Sequence, residues 1–354
     1  MYRGLKRLKL ITKSYYNIDL TKNVFVDSLD EQGVLNNVKK LLIESVRKRM
    51  MSDREISCLL SGGLDSSLVS SILSREMRKQ GKRLKTYSIG FPDSTDIKYA
   101  RKVAKFIDSE HYEYIVEYKD GLNALPDIVN CCETFDITTI RASTPMYLLC
   151  KYISTFKNPV VFSGEGSDEV FAGYLYFHKA PTLEELNEES KRLVKELWKY
   201  DVLRADRCTS GNGLDLREPF LDRDLIDFMM SLDPKYKSPR DGYEKWLLRK
   251  AFDDKEEPYL PEEVLWRRKA AFSDAVSSSE KPWYKYIQEH VTQFRDKLNL
   301  KDFPTEESAY YNYLFTERFN YYRPTIKYWL PKWNDSVGVE PSATALGHFN
   351  KEEH

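Results

Sequence analysis

Two short stretches of this chain carry side chains dense enough in hydroxyl, carboxylate and glycine to do chemistry. The first is Ser61-Gly62-Gly63-Leu64-Asp65-Ser66-Ser67. Its two glycines permit a tight turn and a close approach of backbone to a ligand. The first turn of the helix that follows offers N–H groups without partners at the positive end of a dipole. With the hydroxyls of Ser61, Ser66 and Ser67 this makes a cradle for an anion, and phosphate suits it. No lysine stands where a Walker A loop needs one. Instead Asp65 places a carboxylate in the cradle, which repels phosphate unless Mg²⁺ bridges the two. The alternative is a serine-capped helix after a tight turn. The second stretch, Ser163-Gly164-Glu165-Gly166-Ser167-Asp168-Glu169, repeats the logic with three acids and no base. There Asp168 is the candidate second Mg²⁺ ligand facing Asp65, and Glu165 a candidate to accept a proton or orient a nucleophile. A solvated acidic loop is the competing explanation.

Both stretches need strands to deliver them. Ile56–Leu60 and Pro159–Phe162 are short apolar runs that lead directly into the glycines. A helix over 66–79 follows the first loop, and strands are expected at 84–89 and 111–116, with helices through Ile97–Ile107, Leu122–Cys131 and Pro145–Ile153. Strands alternating with helices predict an α/β fold: a mostly parallel twisted sheet with helices on both faces, plus a helical C-terminal part. Ligands of such sheets sit at the carboxyl ends of strands, where Ser61 and Ser163 fall. Residues 1–33 form a lead-in with one or two strands around Tyr15–Ile18 and Val24–Val26, and 34–350 the main domain, opening on an amphipathic helix from Val34 to near Met50. A long helical region is expected over 182–207, and shorter helices over 244–251 and 306–322. Trp266-Arg267-Arg268-Lys269 is a cationic cluster in which Arg267 and Lys269 are candidates to neutralise phosphate, although such clusters are more often surface.

Composition narrows the class. Of 354 residues, 55 are Lys or Arg and 55 Asp or Glu, so the net charge is zero and the basic excess of a nucleic-acid binder is missing. Hydrophobic content of 41% fits a globular chain. No apolar run reaches the ~20 residues of a membrane span, and the basic N-terminus lacks the apolar core of a secretory signal. Cys58, Cys131, Cys132, Cys150 and Cys208 are odd in number and lack C-x-x-C spacing, which suggests reduced thiols and a cytoplasmic location.

The first loop resembles the pyrophosphate loop of the ATP pyrophosphatases. Taken with YSIGF (87–91), ETFDITTIRASTPMYL (133–148), SGEGSDEVFAGYLYFHKAP (163–181), LRADRCTSGNGLDLREPFLD (203–222), WRRKAAFSD (266–274) and LPKW (330–333), the chain is similar to the synthetase domain of the glutamine-type asparagine synthetases. The resemblance implies an adenine nucleotide α-hydrolase-like fold. It implies that aspartate's side-chain carboxylate attacks the α-phosphorus of ATP, that β-aspartyl-AMP forms as pyrophosphate leaves, and that ammonia then displaces AMP. It places Ser61, Gly62, Gly63, Asp65, Ser66 and Ser67 on pyrophosphate, Leu60 and Ile89 on adenine through their backbones, and Ser163 and Gly164 on the nucleotide. Asp65 and Asp168 match Mg²⁺ ligands. Glu165 matches the residue that deprotonates the nitrogen nucleophile, Thr138, Arg141 and Arg204 polar positions by the reacting groups, and Lys269 the lysine that stabilises charge in both steps.

The chain departs from the family pattern at Ala270 and Ala275, and at Arg268 and Glu218, where Pro or Gln and Val are usual. Tyr2 follows Met1 where full-length members expose a nucleophilic cysteine, and no cysteine precedes Cys58. The expectation is therefore free ammonia as nitrogen donor, or a separate glutaminase subunit; a homodimer is compatible with either. Two other functions compete: a related ligase that adenylates a different carboxylate, and a nucleotide-binding subunit without turnover.

Overall fold

The computed structural model describes Lys13 and residues 28–92, 94–268, 281–320, 327–333 and 338–341. The expected lead-in strands and Lys269, Ala270 and Ala275 lie outside the described residues. At the centre is a five-stranded sheet with every pair parallel. Its strands are β1 (Ile56–Leu59), β2 (Lys85–Gly90), β3 (Glu110–Ile115), β4 (Val160–Phe162) and β5 (Asp215–Arg217), in the spatial order β3-β2-β1-β4-β5. The chain thus builds outward from β1 to β3, returns, and continues on the other side of β1 through β4. A crevice opens where this direction reverses, between the carboxyl ends of β1 and β4. Cys58 pairs with Phe162 in register, so the two glycine stretches leave the sheet side by side at that crevice.

Helices cover both faces. The first layer contains α1 (Glu31–Lys48), α2 (Leu64–Arg78) and α3 (Thr95–Phe106). The second contains α4 (Tyr118–Cys132) and α5 (Ile137–Ser154). Side chains alternate across β4: Val160 and Phe162 enter the first core, Val161 the second. That burial on both sides explains why the strand reads as an unbroken apolar run. Next come α6 (Leu183–Glu196), α7 (Asp201–Ser210), α8 (Arg223–Ser231), α9 (Trp283–Val291) and α10 (Glu306–Phe319).

Several boundaries differ from the sequence expectation. The helix expected to begin at Pro145 starts two turns earlier, because the Asp136 carboxylate caps it by accepting from the Thr139 N–H at 2.8 Å, and Pro145 is carried inside it. The long region 182–207 is broken at Tyr200, whose φ of −129° and ψ of −99° are not helical. Asn320, in the left-handed region at φ 45°, ends α10 before Tyr322. β5 and α9 were not foreseen. β5 has one apolar residue in three, Leu216, and so carries no strand pattern.

The helix expected from Glu244 instead begins at Trp246, because Lys245 takes the left-handed conformation at φ 54°. Glu244 is thereby freed to pair with Arg249. The Arg249 guanidinium, 1% exposed, also donates to the Glu244 carbonyl at 2.9 Å and the Leu265 carbonyl at 2.6 Å. Breaking such a buried pair strands a charge. Arg249→Met is expected to lower unfolding free energy by about 3–5 kcal/mol. Urea titration reads this directly, and a loss below about 1 kcal/mol would mean that water already solvates the pair.

Candidate active site

The loop after β1 turns at Gly62, whose φ is +80°; a Cβ there would stand 2.5 Å from the Ala100 backbone nitrogen. α2 then begins with Gly63 at its N-cap and no side-chain cap, so its first N–H groups keep their capacity for a ligand. Ser61 and Ser66 share a hydroxyl–hydroxyl contact of 2.8 Å, and the Ser61 N–H donates to Ser66 Oγ at 3.1 Å. Ser67 is fully buried and its hydroxyl has no hydrogen-bond partner among the described residues.

The loop after β4 lies against this one. A Cβ on Gly164 would approach the Ser66 backbone nitrogen to 2.7 Å, so only glycine lets the second loop close on the first. The Ser167 hydroxyl donates to Asp65 Oδ1 at 2.8 Å. Asp65 and Asp168 meet at one cation, the Lys245 ammonium, with Nζ 2.6 Å from Asp65 Oδ2 and 2.7 Å from Asp168 Oδ1. Burial pulls this ammonium down, but the two carboxylates outweigh it and leave the group raised to about 12. Two carboxylates from different loops that already hold one cation are the donor set Mg²⁺ uses together with phosphate oxygens and water. Among the described residues no third carboxylate, histidine or cysteine joins them as a metal cluster.

Beside this pair stands a second set. Arg204, on α7, donates from one Nη to Glu165 at 2.8 Å and to Asp201 at 2.8 Å. Burial raises the Glu165 carboxyl above its usual range; Arg204 opposes that rise, and Asp201 and Asp168 add to it. Glu169 is driven up by burial, then by Asp201 and Asp168, and accepts from the Tyr174 hydroxyl at 2.6 Å.

A cavity of about 320 Å³ is lined by these groups and by the apolar side chains of Leu60, Ile89, Met146 and Leu149. Leu60, Ser61, Gly63, Asp65, Ser66, Ile89, Thr138, Arg141, Ser163, Gly164, Glu165, Asp168 and Arg204 all line it. Thr138 donates its hydroxyl to Asp136 at 2.6 Å. The Arg141 guanidinium is committed to Glu307, at 2.7 and 2.5 Å, and to Glu340, so it faces the cavity as a paired group. Arg267, half-buried, also lines the cavity: it donates to the Gly62 carbonyl at 3.1 Å, pairs with Asp96 at 3.1 Å and stacks on Tyr99, tying the cationic cluster to the first loop. Burial lifts the Asp96 carboxyl to about 6 against the pull of Arg267.

Sequence reasoning missed Lys245, Asp201 and the setting of Glu218. Lys245 lies 180 positions from Asp65 amid ordinary charged residues, and no spacing could have flagged it. Glu218 follows β5 directly and one of its carboxylate oxygens is buried without a partner among the described residues. Burial, and then Glu165, push this carboxyl up to about 7. The folded chain therefore keeps a proton that the unfolded chain releases above about 4.5, so this contribution to stability is present at low pH and is lost as pH rises toward 7. Glu218→Gln is expected to remove that loss and to stabilise the protein at pH 8 by roughly 1–3 kcal/mol, with little change at pH 5. Thermal unfolding at the two pH values is the check; an equal shift at both would place the carboxylate in solvent.

Comparison with known proteins gives the family. The asparagine synthase family model matches residues 37–192 and 180–322. The chain belongs to the asparagine synthase family. It is 45% identical over 331 residues to the glutamine-hydrolysing asparagine synthetase of Homo sapiens, covering 90% of this chain and 58% of that protein. The corresponding protein of Gallus gallus is 45% identical over 333 residues, covering 90% and 59%. The chain thus spans somewhat more than half the length of the curated family members it matches. No helix among the described residues is long and apolar enough to cross a membrane.

Proposed function

We propose that this chain is an ATP-dependent ligase that amidates the side-chain carboxylate of aspartate, through β-aspartyl-AMP, to asparagine, with release of AMP and pyrophosphate. The observation that carries this reading is the meeting of Asp65 and Asp168 on one cation directly beneath an uncapped helix start. The site is thereby suited to a metal–triphosphate. The family relationship supplies the choice of aspartate.

In this reading Ser61, Gly62, Gly63, Ser66 and Ser67 hold the pyrophosphate half of ATP with backbone N–H and hydroxyl donors. Leu60 and Ile89, with Ser163 and Gly164, hold the nucleoside half in the same cavity. Mg²⁺, held by Asp65 and Asp168 with phosphate oxygens, would neutralise the charge that collects on the departing pyrophosphate. An aspartate carboxylate oxygen forms a bond to the α-phosphorus while the bond from that phosphorus to the bridging oxygen of pyrophosphate breaks. Fixing both reactants in line lowers the entropic part of this barrier. Ammonia then bonds to the activated acyl carbon and AMP leaves with its electron pair. Glu165, raised by burial and steered by Arg204, takes a proton from the nitrogen. Thr138 and Arg204 orient the reacting groups, Arg141 fixes the wall beside them, and Lys269 contributes positive charge during both steps.

The test is formation of AMP and asparagine from ATP, Mg²⁺ and aspartate, run with ammonium, with glutamine and with neither. Asparagine with ammonium, one AMP per amide, is the expected outcome. Pyrophosphate release that requires a carboxylate other than aspartate would reassign the substrate, and no consumption of ATP under any condition would leave only a binding role.

A further inference from the structure

The Asp65–Asp168 pair is not an open metal site in the folded chain: an ammonium from the chain itself stands in it. Lys245 reaches it by a built route. Its side chain is 2% exposed. Its stem crosses Gly173 so closely that a Cβ there would lie 1.9 Å from Lys245 Cε, so glycine leaves the passage. The root of the side chain is fixed: its φ of 54° is one that L-residues adopt at a cost of order 1–2 kcal/mol, and the Glu244–Arg249 pair anchors the backbone on both sides.

We propose that Lys245 is a resident counter-ion that occupies the divalent-cation position until nucleotide arrives and then moves onto phosphate oxygens, so that the metal is taken up with the nucleotide and poorly by itself. This rests on the nucleotide reading given above. The physical basis is charge balance. Bare Mg²⁺ must evict a buried ammonium that has nowhere favourable to go, and like charges at such a distance repel strongly. A triphosphate supplies, within reach of the same lysine, new anionic oxygens beside Ser61 and Ser66. Eviction then becomes an exchange of partners. Lys245 consequently couples metal to nucleotide, in addition to contributing charge next to the pyrophosphate.

Electron paramagnetic resonance of Mn²⁺ tests this, with Mn²⁺ alone and with α,β-methylene-ATP, in the parent, Lys245→Met and Lys245→Arg. Lys245→Met is expected to bind bare Mn²⁺ at least about tenfold more tightly than the parent, and the factor by which the nucleotide improves Mn²⁺ binding is expected to fall by at least about tenfold. Lys245→Arg retains the charge and the fold-stabilising pair. It is expected to exclude bare Mn²⁺ as the parent does, while its bidentate grip on the two carboxylates weakens Mn²⁺–nucleotide binding about tenfold or more. Bare Mn²⁺ affinity unchanged or weaker in folded Lys245→Met overturns the assignment. If that variant does not fold, tighter bare-metal binding by Lys245→Arg than by the parent overturns it instead. A parent that binds no Mn²⁺–nucleotide complex would sink the nucleotide reading itself, whereas a parent that binds the complex alongside variants with unmoved bare-metal affinity would sink only the counter-ion.

Discussion

Asp65→Asn is expected to reduce aspartate-dependent exchange of pyrophosphate into ATP by about 10³-fold, several kcal/mol of transition-state stabilisation. The amide keeps the shape of the side chain and its oxygen can still accept the Ser167 hydroxyl now held at 2.8 Å, but its NH2 then faces the Lys245 ammonium that Asp65 Oδ2 holds at 2.6 Å, so the melting temperature is expected to fall and exchange is read well below it. What disappears is a formal charge on one of the two oxygens facing the cation site. Exchange within about threefold of the parent, in a folded variant, would remove Asp65 from the metal–phosphate assignment.

Glu165→Gln is expected to act on the other half-reaction. Asparagine formation should fall by about 10²–10⁴-fold, the usual worth of a positioned proton acceptor, while pyrophosphate exchange stays within about tenfold of the parent. The pH dependence has a definite sign. Burial raises the Glu165 carboxyl, so its basic form is lost as pH falls from neutrality sooner than for an ordinary glutamate. At constant free ammonia, nitrogen transfer in the parent should climb with pH and level off, and the Gln variant should lack that limb. A parent profile that stays flat down to the ordinary glutamate range, or equal losses of both half-reactions in the variant, would assign Glu165 a binding role.

Much of the architecture was legible because it is local. Apolar runs ending in Gly62-Gly63 and Gly164–Gly166 announced strands that deliver ligands, and alternation with amphipathic helices announced a parallel sheet. Where the reading failed, tertiary contacts had overridden local pattern. Asp136 begins α5 ahead of Pro145, and β5 forms because β4 offers an edge to Asp215–Arg217, not because those residues favour strand. The site divides in the same way. Residues on the two glycine loops could be found from composition and spacing. Lys245 could not, since its role depends on a left-handed residue and a passage at Gly173 that exist only in the fold. Arg267, a candidate to neutralise phosphate, does line the cavity, and there it is also held by the Gly62 carbonyl and Asp96. A sequence shows that charge is present but not which partner claims it.

The pairing of β1 with β4 brings Ser57 next to Val160, residues 103 positions apart. Closing so long a loop is entropically unfavourable until the intervening helices have packed, so this contact belongs to the slow part of folding. Both halves of the proposed phosphate cradle depend on it, because Gly164 touches Ser66 only when the strands are side by side. Nucleotide affinity should therefore emerge late and all at once during refolding, after most helical signal has recovered. A growing chain released before β4 would display the glycine loop without being able to use it.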